Sequence, residues 1–124
     1  MMISIDVEYL YIAPAIRKYV AQKLLERGFK QKEAAKIMGL TPPAINQYLK
    51  NKRASKVVFN NEEKQVINEE VHKLVKGEIN LQRLVKQVIN RFEENGSVCR
   101  IHECIESVDR NCIQLGFKEP NEKI

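Results

Sequence analysis

Residues 31–50, QKEAAKIMGLTPPAINQYLK, leave little freedom in how the chain around them can fold. Counting Gln31 as the first position, Ala34, Met38, Leu40, Ile45 and Tyr48 fall where two short helices must share a small core. Ala35 stands fifth, at the closest approach of those helices, where a larger side chain would push them apart. Gly39 stands ninth, in a turn that needs a positive φ, which glycine supplies without steric cost. Thr41 is placed to cap the second helix, and Pro42 follows at its first position, where a missing N–H costs nothing. With Ala44, Ile45, Tyr48 and Leu49 turned inward, the remaining face carries Pro43, Asn46, Gln47 and Lys50.

This spacing predicts a helix-turn-helix, and the polarity of the outer face points to DNA. Asn and Gln can grip adenine through two bonds, and Lys can reach guanine or a phosphate. The DNA-binding candidates on and before this helix are Thr41, Pro43, Asn46, Gln47 and Lys50, with Lys50 better placed for a phosphate than for a base edge. Around them, Lys30, Gln31 and Lys32 open the first motif helix. The basic segment NKRASK adds Lys52, Arg53 and Lys56, better placed for phosphates because a chain leaving the recognition helix climbs onto the backbone. Two blander readings compete: an ordinary helical hairpin of a bundle, or a motif that grips another protein.

Charge follows the same division. Residues 1–58 hold 11 Lys and Arg against 4 Asp and Glu, a balance of +7; residues 59–124 hold 10 against 12, a balance of −2. The basic excess therefore lies with the motif, as phosphate neutralisation requires. Hydrophobic residues make up 44% of the 124 and aromatics only 6%, without Trp. That composition favours aliphatic helix packing over an aromatic-lined cleft. No apolar run approaches the roughly 20 residues of a membrane span, and no signal peptide is evident, so a soluble cytoplasmic protein is expected.

Before the motif, residues 1–11 alternate like a strand, yet no second strand is evident to pair with. A short helix with Ile5, Tyr9, Ile12 and Ile16 on one side is the better reading. Residues 14–27 are a firmer helix with Ile16, Val20 and Leu24 inward and Arg17, Lys18 and Lys23 outward. After the motif, Asn60-Asn61 with Glu62 and Glu63 signals a helix start. That helix carries Ile67, Val71, Leu74 and Val75 on one stripe. A second, from about residue 80 to 94, repeats Leu81, Leu84, Val85, Val88, Ile89 and Phe92 at helical spacing. A last one, 97–115, aligns Ile101, Ile105, Val108, Cys112 and Leu115. Such stripes can cover the head, pair with a second subunit, or both.

Catalytic patterns are missing: no Gly-rich phosphate loop, no HExxH, no GxSxG, and acidic residues that read as spread over solvent faces. An enzyme is not expected, nor a cofactor. Cys99, His102 and Cys104 lack the spacing of a zinc knuckle, so no metal is expected either. Cys112 reads as a small buried hydrophobe. An intersubunit disulfide through Cys99 or Cys104 is an open route that a reducing cytoplasm opposes.

The stretch from Ala13-Pro14-Ala15-Ile16-Arg17 through GLTPPAINQYLKNKR resembles an archaeal family of small predicted transcriptional regulators with a lambda-repressor-like helix-turn-helix. The resemblance covers roughly residues 4–56 and extends in character to a cysteine-bearing helical C-terminal part. It implies a dimeric, sequence-specific DNA binder. Pro43 and Asn46 stand where Gln and Ser are usual, so the relatives' base preferences do not carry over. The expected architecture is all-α. It has a helix-turn-helix head at 1–58, a helical dimerisation region at 59–116 and a flexible tail at 117–124. The expected function is transcriptional regulation as a homodimer, formed through residues beyond 60, on a two-half-site operator. The alternatives are a protein-interaction module and a redox- or metal-responsive sensor.

Overall fold

The computed structural model describes residues 4–106, all of whose regular elements are helical. Residues 107–124 lie outside the description, and with them Val108, Cys112, Leu115 and the tail. None of the described helices is long and apolar enough to cross a membrane.

The chain begins as one continuous helix in three parts: α1 (Ser4–Val7), a π-turn (Glu8–Ile12) and α2 (Ala13–Glu26). Pro14 accounts for the middle part. It has no N–H to donate, and its ring would strike the carbonyl four residues back in a straight α-helix. The ladder widens instead, and Ala13 donates to the Glu8 carbonyl five residues back. One residue is thereby inserted into the helical register. The buried stripe runs Val7, Ile12, Ile16, Val20, Leu24, with a first step of five and then steps of four. The expected helix is present, but its expected face is not. Tyr9, assigned inward with Ile12 and Ile16, is 74% exposed because the π-turn rotates it out.

The two motif helices, α3 (Gln31–Met38) and α4 (Pro42–Leu49), pack on each other and on α2. Ala34, Ala35, Met38 and Ile45 are buried there, and Gly39 makes the turn at φ +71°. After a short 3-10 turn (Ala54–Lys56) and an extended link, Asn60 caps α5 (Asn61–Val75). Its Oδ1 accepts from the Glu63 N–H at 2.8 Å, and Glu63 Oε1 accepts from the Asn60 N–H at 2.9 Å.

Glu63 was expected in solvent, and Glu70 with it; both are buried. On Glu63 a carboxylate 1% exposed meets Arg100 of α7 (Ser97–Glu106), whose Nη2 donates at 2.6 Å and Nε at 3.2 Å. Arg100 Nη2 also donates to the Val58 carbonyl at 3.1 Å. Capping and ion pairing together explain why a charged residue can be buried at this place.

Between them, α6 (Leu81–Glu94) starts at an Asn80 cap and runs beside α5, tied by Arg91–Glu69 at 3.0 Å. Its apolar stripe turns into the chain's own core. Leu81, Leu84, Val85, Val88 and Phe92 are buried and Ile89 is partly so. Phe59 bridges to the head, 6.0 Å from the Tyr19 ring on α2 and 5.8 Å from Phe92 on α6. One hydrophobic cluster therefore extends from Val7 to Ile101, across both segments divided at residue 58. The area expected to remain for a second copy on α6 is already covered.

Two consequences are measurable. Glu63→Gln keeps the helix cap acceptor but leaves Arg100 without a counter-charge, and should lower unfolding free energy in urea by about 3–5 kcal/mol. Glu8, partly withdrawn from water and hydrogen-bonded to Glu93, whose charge also repels it, has its pKa raised from 4.5 to about 7. The folded state then holds a proton that the unfolded state has released, so stability should fall as pH rises from 4.5 to about 7. Glu8→Gln should flatten that part of a melting-temperature profile against pH.

Candidate nucleic-acid interface

α4 sets the outer face. Thr41, Pro42, Pro43, Asn46, Gln47 and Lys50 are all exposed, while Ile45 anchors the helix from beneath. Tyr48, half-buried, carries the Arg17 guanidinium 6.0 Å from its ring centroid, which fixes α2 against α4. Thr41 occupies the cap position, but its hydroxyl does not cap. The second helical residue, Pro43, has no N–H to offer, and the Ala44 N–H already bonds the Thr41 carbonyl at 3.0 Å. The hydroxyl is left available to a ligand.

The start of α3 lies beside this face. Lys30, Gln31 and Lys32 are exposed, and Gln31 Nε2 donates to Asn46 Oδ1 at 2.9 Å. These two amides, fifteen residues apart, approach any ligand as one unit. The Lys30 N–H is held by Glu33 Oε1 at 2.9 Å. α3 still offers backbone N–H groups in its first turn for an anion, whereas α4 opens with two prolines and offers few.

On the other side, Lys50, Lys52, Arg53 and Lys56 are exposed on a loop that is well ordered by its own polar groups. Asn51 Oδ1 accepts from the Ala54 N–H at 2.8 Å, and Ser55 Oγ donates to the Asn51 carbonyl at 3.1 Å. Lys18, from α2, donates to Ser55 Oγ at 2.9 Å. From helical spacing Lys18 and Arg17 have only an outward-facing role. Their partners lie more than thirty residues away, and no local spacing signals such a pairing.

Electrostatically the surface is one-sided. The ion pairs among the described residues are Lys23–Glu26, Lys73–Glu70, Arg91–Glu69 and Arg100–Glu63, none of which uses a cation of this face. Lys30, Lys32, Lys50, Lys52, Arg53 and Lys56 thus flank the polar face of α4 with no ion pair among the described residues. Such a row is unfavourable to itself and favourable to a polyanion.

Away from this surface, Cys99 is exposed and Cys104 buried. No group of three or more His, Cys, Asp or Glu able to hold a metal ion occurs among the described residues.

Residues 20–57 match the helix-turn-helix family model. No curated protein and no solved structure matches the chain. The matched segment runs from the middle of α2 through α3, α4 and the basic loop, and so contains most of the surface just described. Residues 20–57 thus carry a helix-turn-helix, set among described elements that are all helical.

Proposed function

We propose that the protein is a sequence-specific transcriptional regulator that lays α4 in the major groove of duplex DNA. The observation that carries this reading is a row of cations outside the ion pairs of the described residues, on both flanks of a helix face bearing Asn46 and Gln47. In this reading Lys50, Lys52, Arg53 and Lys56 take phosphates on one side, and Lys30 and Lys32 take them on the other. Asn46 and Gln47 meet base edges, with Gln31 travelling beside Asn46, and Thr41 and Pro43 sit at the entry to the groove. The exposed face of α4 carries no large apolar side chain, which weighs against a motif that grips another protein.

One such head makes few base contacts, so the protein acts as a homodimer on two half-sites about 34–36 Å apart, or a multiple of that spacing. Since the α6 stripe is covered within the chain, pairing through residues beyond 60 draws on the outer faces of α5 and α6. Of Cys99 and Cys104, Cys99 is the one exposed to a second subunit.

The DNA reading is tested by fluorescence anisotropy on a site selected from random duplexes. Lys52→Ala and Arg53→Ala should each weaken specific and random DNA alike. Each should also lower the slope of log K against log salt by about 1. Asn46→Ala should cost about 1–3 kcal/mol on the selected site and little on random DNA. Unchanged salt slopes would remove the loop from the interface. For assembly, sedimentation of the full chain at micromolar concentration should show a dimer with and without reductant. A monomer in both would sink the dimer, and a dimer only without reductant would shift it onto Cys99.

A further inference from the structure

A cleft between α2, the turn at Ala54–Lys56, the link at 57–59 and α5 lies behind the basic loop. Its volume is about 460 Å³, within the roughly 300–1,000 Å³ of small-ligand sites. Val57, Val58 and the edge-to-face pair of Tyr19 and Phe59 give it an apolar floor. Its rim carries Lys18, Lys23 and Lys64, and the carboxylate among its lining residues, Glu26, is already paired with Lys23 at 3.1 Å. Lys64 has no ion-pair partner among the described residues, and Lys18 bonds only the neutral hydroxyl of Ser55. Two unneutralised ammonium groups over an apolar floor favour one kind of ligand chemistry. A bare phosphodiester backbone would gain nothing from the floor, and a neutral apolar ligand nothing from the rim.

We propose that this cleft binds a small organic anion with a phosphate or carboxylate head and an apolar body, the head taken by Lys18 and Lys64. Such a ligand competes with Ser55 for the Lys18 ammonium, so its arrival is felt in the turn that orders the basic loop. The site stands on the cleft itself, and its test uses the free protein, so the outcome is independent of whether α4 reads DNA.

The experiment is an NMR titration of the full chain, following backbone amides and Val methyls. The probe is phenyl phosphate, with sodium chloride at matched ionic strength as the control. Saturable shifts are expected at the methyls of Val57 and Val58 and at the amides of Ala54 and Ser55. Inorganic phosphate should give weaker binding at the same residues. Lys18→Gln and Lys64→Gln, both surface changes whose fold is checked by the dispersion of the same spectrum, should each weaken phenyl phosphate about tenfold, the loss of one charge-assisted contact. Shifts no larger than those from sodium chloride would overturn the proposal, as would binding untouched in both variants. Equal affinity for inorganic phosphate would remove the apolar body from it. A short random duplex that saturates the same Val methyls would reassign the cleft to nucleic acid.

Discussion

One helix has to serve two neighbours, and the rest of the molecule depends on how it does so. Ile16, Val20 and Leu24 of α2 are fully buried in the cluster that includes Ala34, Ala35, Met38 and Ile45 of the head. Tyr19, on the same helix, turns toward Phe59 and donates to Asn68 Oδ1 of α5 at 3.3 Å. A short pair of motif helices cannot bury a helix of this length on all sides. α5 and α6 complete the job, and in doing so use up their own apolar faces. Head and C-terminal helices are therefore parts of one packed body. The packing that holds α4, and with it Asn46 and Gln47, in place comes from beyond the motif as well as from within it.

Pro14 decides how far this packing reaches toward the N-terminus. In an uninterrupted α-helix Val7, five residues before Ile12, would sit about 140° away from it and could not share its burial. The widened turn brings α1 against α7. A constraint that looks like a defect in one helix thus adds a contact between the two ends of the described chain.

What was legible in the sequence was whatever is local. The spacing of Ala34, Met38 and Ile45, the glycine at 39, and the Asn60 and Asn80 starts each depend on residues within about a dozen positions, and they stand where the pattern put them. The Thr41 hydroxyl did not cap because the neighbouring Pro43 removed the donor, an effect of two local signals cancelling. Periodicity also showed that α6 has a face to bury, but a period cannot name the partner, and the partner is this chain. Tyr9, Glu63 and the Lys18–Ser55 contact were beyond reach for different reasons. The first depends on a register shift that a strict 3.6-residue count misses. The other two join residues 37 apart, and buried charge is visible only once its counter-charge is in place.

The Arg100 side chain reaches back 42 residues to the Val58 carbonyl while neutralising Glu63. During synthesis the helix-turn-helix emerges first, yet the segment leaving its basic loop lacks this anchor until residue 100 has been made. The link between the basic loop and α5 would therefore gain this anchor late, after most of the chain has been translated. The last described helix thus fastens the link that leaves the basic loop.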